Sequence, residues 1–296
     1  MIKWGWLNRS LEVIFMENVI IVTDSSSDLP EGIIKDYPIK VLPMPVSLKD
    51  DPTKDISNLS LKEFYDSIRR GEIVPTTSQV TVPVYMQCFK EYLSQGKTPL
   101  VLGLSSKLTS SYESALLAKE NLKADEIIII DTKCASLGLG LVVLKAAQMA
   151  KEGKTAQEIA QVIEPYALHM EHIFTVDSLE YLKRGGRISA TQAFVGGLLN
   201  VKPVLHFVDG AILPLENVRG RKNVVKKMIE IMAQRAKNPQ DQVIGISHAD
   251  NEELALELKE AVIKEFGIKN IIMSWIGPVI GSHAGPGTVA LFFQNA

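Results

Sequence analysis

Short apolar runs alternate with amphipathic stretches through the first half of the chain. Val19–Val22, Leu100–Leu104 and Glu126–Ile130 read as buried strands, and the latter two are each followed by a helical pattern. The first run ends in Thr23-Asp24-Ser25-Ser26-Ser27-Asp28, after which Leu29-Pro30 opens a helix. Proline suits a first helical turn, where its missing N–H would be unpaired anyway. Val82, Tyr85, Met86, Phe89, Tyr92 and Leu93 recur at the spacing of one face of an amphipathic helix. Strands alternating with helices predict a parallel sheet with helices on its faces, and ligands in such sheets bind where strand C-termini open into loops.

The second half has a different rhythm. Val201–Val208 and Ala211–Asn217 flank Asp209-Gly210, a strong hairpin signal. A helix over Asn223–Arg235, a strand over Val243–Ser247, a helix capped by Asp250 or Asn251 and a strand over Ile271–Trp275 follow. In that second helix Leu254, Leu258, Ala261 and Val262 share a face. This predicts a mixed sheet with helices on one side. The expected fold class is therefore α/β with two domains: an N-terminal parallel-sheet α/β/α domain over 16–168 and a C-terminal mixed-sheet α/β domain over 169–296, the boundary lying near 165–172. Residues 1–15 are apolar but broken by Lys3 and Arg9, with no small-residue cleavage site after them. They are expected to be an upstream extension, disordered or foreign to the fold, and not a signal peptide.

Composition narrows the function. A chain of 296 residues exceeds what one compact core usually accommodates. The formal net charge of −2 offers no nucleic-acid footprint, and no apolar run approaches the ~20 residues of a membrane helix. Cys88 and Cys134 stand far apart in no metal-like spacing, so a reduced pair in the cytoplasm is expected.

Enzyme signatures mostly fail. There is no G-x-x-x-x-G-K-[ST] phosphate loop. Gly103-Leu104-Ser105-Ser106-Lys107 begins like a nucleophile elbow but ends in Lys where Gly is needed. Gly285-Pro286-Gly287-Thr288-Val289-Ala290 fits a dinucleotide fingerprint, but the βαβ unit such a fold needs cannot follow in six residues. His169-Met170-Glu171-His172 lacks a third ligand and reads as a solvated helix end or loop. What remains is a set of hydroxyl-rich loops: Thr23–Ser27, Thr76-Thr77-Ser78-Gln79, Ser105 to Tyr112, and Asp131-Thr132. Ser78 and Thr109 are expected to cap helices. Four such loops in one domain also suit a shared polar mouth for an anionic head group. Two further segments, Lys183-Arg184-Gly185-Gly186-Arg187 and the glycine-dense Gly277 to Gly287 around His283, are weighed between helix-end roles and a binding role.

With these segments in view the sequence resembles the DegV family. The matching stretches are Ile21–Leu29, Thr77-Ser78-Gln79, the Ser105-to-Tyr112 loop, Leu182-Lys183-Arg184-Gly185-Gly186-Arg187-Ile188, Lys202-Pro203-Val204-Leu205 and Gly277 to Gly287. The resemblance implies two α/β domains with a long-chain fatty acid between them. It also implies the acyl-presenting role in a bacterial fatty acid kinase, whose catalytic partner phosphorylates the bound carboxylate to an acyl phosphate. Carried over by position, Thr77 and Ser106 hold the carboxylate, His283 and Arg187 complete the cluster, and Thr76 and Ser105 are neighbours that share the contact. The resemblance implies no cofactor beyond the fatty acid and no catalytic residue in this chain, and it leaves transient contact with a membrane surface open. Basic residues around Arg219, Arg221 and Lys222 are expected to dock the kinase. Their charge at a helix N-terminus opposes the helix dipole, so stability alone does not explain them. One departure stands out. The family reads Ser-Gly-Thr-Tyr where this chain has Thr109-Ser110-Ser111-Tyr112, and loss of the glycine is expected to alter backbone approach there. The competing reading is a stand-alone α/β enzyme of phosphoryl transfer or hydrolysis using Ser106 and His283.

Overall fold

The computed structural model describes residues 18–51, 53, 56, 59–188 and 201–296. The extension expected at 1–15 lies outside the described residues. In chain order the elements are β1 (Val19–Asp24), α1 (Glu31–Asp36), β2 (Ile39–Leu42), β3 (Val46–Leu48), α2 (Leu61–Arg69), β4 (Pro75–Thr77), α3 (Val82–Ser94), β5 (Thr98–Gly103), α4 (Ser111–Leu122), β6 (Ile128–Asp131), α5 (Ser136–Lys151) and α6 (Ala156–Leu168). They continue with β7 (Met170–Thr175), α7 (Glu180–Arg184), β8 (Val201–Val208), β9 (Ala211–Arg219), α8 (Arg221–Arg235), β10 (Ile244–His248), α9 (Glu252–Phe266), β11 (Ile271–Trp275), α10 (Pro278–Ala284) and β12 (Val289–Gln294).

The fold is two-domain α/β, as the alternation implies. The first sheet is parallel in the order β2-β1-β5-β6, and α3–α4 and α5–α6 cover it as two separate helix pairs. The second sheet has the order β11-β10-β12-β7-β8-β9, with β10–β11 parallel and the other pairs antiparallel. Strands β3 and β4 form a small antiparallel pair of their own. The expected boundary at 168/169 falls between the end of α6 and the start of β7.

Helix α5 joins the two sheets. Twelve of its residues are buried, including every position from Ser136 to Leu144, and only Lys145 and Lys151 reach solvent as charged side chains, as suits a helix packed between two sheets. It packs on β1 and β5 behind it and on β10, β12 and β7 in front. The second sheet is therefore covered by α8 and α9 on one face and by α5 on part of the other, where helices on one side only were expected. The β8–β9 turn is tight because Asp209 and Gly210 both adopt positive φ, 48° and 77°, the geometry a two-residue hairpin requires.

Several local expectations are corrected. Pro30 sits at the N-cap of α1, one position before the first turn. Thr81 and Ser110, not Ser78 and Thr109, precede α3 and α4. Helix α8 begins at Arg221, two residues earlier than expected. The Thr23–Ser27 loop does not contribute to a polar mouth. Its Asp24 is fully buried and accepts hydrogen bonds from Ser26 N (3.0 Å), the Ser26 hydroxyl and Leu104 N (3.0 Å), tying the end of β1 to the end of β5.

A second carboxyl, on the half-buried Asp28, links the domains. Asp28 accepts from the Ser136 hydroxyl at the start of α5 (2.5 Å) and from Gly277 N (2.8 Å), and Ser136 lies 3.1 Å from the Ser247 hydroxyl. Burial pushes the Asp28 pKa up to about 7, against the pull of its two hydrogen bonds, and nearby Asp24 adds to the rise. The folded state thus holds this proton at pH values where the unfolded chain, near 3.9, has released it. Stability from this group is present at low pH and is lost as pH rises from the unfolded value through about 7. Asp28→Asn keeps an acceptor for Gly277 N, donates to Ser136, and suits the local φ of 51°. The variant is expected to gain stability relative to the parent between pH 5 and pH 8, read as the difference in urea midpoints. A difference that stays constant with pH would show that Asp28 does not titrate there.

Candidate functional site

Where the C-terminal ends of β5 and β6 meet the inner face of the second sheet, a cavity of about 760 Å³ opens. Its volume is in the range of small-molecule sites. One wall is set by sheet register. Phe292 pairs with His172 across β12–β7 and Phe207 pairs with Ile212 across β8–β9, while His172 and Phe207 stack at 4.4 Å. These four side chains form a row across three neighbouring strand pairs, and Ala290 and Phe174 form the next row. Side chains two apart on a strand share a face, which is why all six point into the cavity. Leu104, Leu182, Ile276 and Val279 add further apolar wall.

His172 is polar only nominally. Its Nδ1–H donates to Met170 O (2.9 Å) and its Nε2 accepts from Ala135 N (3.1 Å). Burial pushes its pKa down to about 4, so the ring is neutral and shows the cavity an aromatic face. The reading of His169–His172 as a solvated end is corrected: His169 ends α6 at the surface, but His172 is a buried strand residue. Among the described residues no group of three His, Cys, Asp or Glu side chains is placed to hold a metal ion.

The polar stretch of the wall is built from four segments: the end of β4, helix α10, the turn after α7 and the loop after β5. Thr77 Oγ1 lies 2.7 Å from His283 Nε2. His283 Nδ1 is buried without a hydrogen-bond partner, and the ring packs so closely on Gly185 that a Cβ there would overlap it. A proton on Nδ1 would be stranded against a methylene, so it belongs on Nε2, donated to Thr77. Thr77 then keeps its own O–H free to donate into the cavity. Burial, with Arg187 and Arg184 adding to it, pushes the His283 pKa down to about 4. Arg187 donates through Nε (3.1 Å) and Nη2 (3.0 Å) to Leu108 O and through Nη1 to Gly185 O, joining the His283 side of the wall to the serine loop. Burial pulls its pKa below the usual arginine value. It is half-buried, and among the described residues it forms no ion pair.

Ser106 lines the cavity too, with its hydroxyl donating to Asp131 and its N–H to the same carboxylate (3.1 Å). Thr76 and Ser105 do not line it. Thr76 alternates to the other side of β4 and meets Ser47, with oxygens 3.3 Å apart. Ser105 is fully buried and donates to Gly210 O (2.9 Å), fastening the β8–β9 turn to the first domain. Ser106 and His283 contact Asp131 and Thr77 respectively and share no hydrogen bond, so the nucleophile–base pair of the enzyme reading is not assembled. Ser110 has φ of −90°, open to any residue, so the missing family glycine leaves the backbone of that loop unstrained.

The basic residues near α8 divide. Arg219 and Lys222 are exposed, whereas Arg221 lies 3.0 Å from Glu253 and 3.8 Å from Glu257 of α9. Those ion pairs supply a structural reason for Arg221 that the helix dipole alone denied it. No helix among the described residues is long and apolar enough to cross a membrane.

Together the fold and cavity define a two-domain α/β protein with an interdomain pocket, apolar on one side and cationic on the other. The chain belongs to the DegV family, described as uncharacterised proteins, which it matches over residues 18–296. A DegV domain-containing protein of Clostridium perfringens is 42% identical, the match covering 94% of this chain and 98% of the relative. A structure described as fatty acid binding of a DegV family protein from Thermus thermophilus superposes with a TM-score of 0.86 at 30% identity, covering 94% of this chain and 100% of that one. The structure of DegV, a fatty acid binding protein from Bacillus subtilis, gives 0.82 at 29% identity, with coverage of 94% and 99%.

Proposed function

We propose that this protein binds one long-chain fatty acid in the interdomain cavity and presents its carboxylate to a partner kinase for phosphorylation to an acyl phosphate. The observation that carries the reading is Arg187: a half-buried guanidinium on the polar side of a pocket whose opposite wall is apolar, with no ion-pair partner among the described residues. A carboxylate removed from water needs charge-assisted hydrogen bonds, and Arg187, the Thr77 hydroxyl and Ser106 supply them. His283 holds Thr77 in the donating orientation. The tail needs only apolar wall. Burying ~14 methylenes at ~0.8 kcal/mol each contributes about 11 kcal/mol before ordering costs of several kcal/mol. Affinity therefore comes mainly from the tail, and orientation from the head. The structures of the Thermus and Bacillus relatives, described as fatty acid binding, support this reading.

Phosphorylation is assigned to the partner, acting in the cytoplasm, and this chain needs no cofactor for its part. Arg219, Arg221 and Lys222 form the proposed docking patch, steering an acidic surface toward the protein in a salt-dependent way. The paired test is lipid content and kinase-dependent acyl phosphate formation in the Arg219→Ala, Arg221→Ala double variant. Full lipid content with phosphorylation reduced about ten-fold or more is expected. Loss of lipid, or undiminished phosphorylation, would show that these arginines do something else.

A further inference from the structure

Ser106 has one hydroxyl proton, and the structure gives it to Asp131. An acyl carboxylate at Ser106 would compete for that proton with a resident carboxylate of the same charge. What resolves the competition is the other neighbour of Asp131. Lys133 Nζ lies 2.7 Å from Asp131 Oδ2 and 3.3 Å from Ser106 Oγ, and Lys133 N donates to Asp131 Oδ1 (3.3 Å). Both contacts are possible because Lys133 turns back at a φ of 59°. The β8–β9 turn lies on its stem: a Cβ at Gly210 would come within 2.9 Å of Lys133 Cδ.

We infer that Lys133 is a positioning residue of the head-group site, neutralising Asp131 so that Ser106 can turn its hydroxyl from Asp131 to an acyl carboxylate. The inference rests on the fatty-acid reading above. When the hydroxyl turns, Asp131 keeps the Ser106 N–H, the Lys133 N–H and the Lys133 ammonium. With Lys133 removed, Asp131 retains the hydroxyl and repels the incoming anion. Lys133 acts through Ser106 and Asp131 and is absent from the cavity wall itself.

The test uses delipidated full-length protein and two probes, hexadecanoic acid and 1-hexadecanol. Lys133→Met keeps the unbranched stem under the turn and removes the charge. It is expected to weaken acid binding about ten-fold or more and to leave the alcohol within about two-fold, because only the acid meets Asp131 as a like charge. Adding Asp131→Asn should restore acid binding, since the amide donates to Ser106 Oγ and frees its hydroxyl. A structural role for Lys133 would lower acid and alcohol alike, without rescue by Asp131→Asn, and that result, or unchanged acid binding in Lys133→Met, would overturn the inference. Failure of the unsubstituted protein to bind hexadecanoic acid at all would overturn the fatty-acid reading itself, and this inference with it.

Discussion

An Ala290→Trp variant is expected to fold but to purify with almost no fatty acid. Ala290 is buried on the inner face of β12, paired with Phe174 on one side and Ser247 on the other, and its methyl lines the cavity. An indole there projects into space where an acyl tail would lie. Overpacking in a filled core costs about 1–3 kcal/mol, but here the added volume enters a cavity of about 760 Å³, so the fold tolerates it. Excluding even four methylenes at ~0.8 kcal/mol each removes about 3 kcal/mol of binding, more than a hundred-fold in affinity. Circular dichroism with mass spectrometry of extracted lipid checks both halves. A folded variant with parental lipid content would place the acyl tail elsewhere.

The largest stability effect is expected at Asp24. Its carboxylate receives Ser26 N, the Ser26 hydroxyl and Leu104 N in a fully buried position. Asp24→Ala leaves two backbone N–H groups without acceptors, each costing about 1–3 kcal/mol, and opens a small void besides. The sum is about 3–5 kcal/mol, a large share of the 5–15 kcal/mol typical of a domain. Asp24→Asn is expected to fall between, because its amide accepts from one donor but faces another with its NH₂. The effect reaches function through Leu104, which begins the loop carrying Ser106. Urea denaturation measures it, and a loss below about 1 kcal/mol would mean that other acceptors replace the carboxylate.

Much of the architecture was legible because it rests on local signals. Periodicity located β1, β5, β6 and α3, and Asp209-Gly210 located the hairpin. Thr77, Ser106, Arg187 and His283 came from a family resemblance, and the structure brings all four to one cavity. What was not legible depends on long-range register. The row of Phe292, His172, Phe207 and Ile212 unites residues up to about 120 positions apart, and only strand pairing aligns them. Thr76 and Thr77 were inseparable because β4, with three residues, is too short for its alternation to show. His172 reads from sequence as part of a solvated helix end or loop because α6 runs to Leu168 immediately before it, and the alternation of Met170, His172 and Phe174 is too short to mark the strand that buries it. Lys133 carries no sequence signal of its role, because its partner Asp131 binds Ser106 from the neighbouring loop, a contact that no sequence spacing reveals.

In the proposed function a single acyl chain occupies the interdomain cavity with its carboxylate at Arg187, Thr77 and Ser106. The most direct measurement is mass spectrometry of an organic extract of the purified protein, quantified against protein concentration. Fatty acids of roughly fourteen to eighteen carbons at about one per chain are expected, as a tail of that length supplies the burial on which affinity rests. Nucleotides, sugars or no ligand at all across repeated preparations would contradict the proposed function.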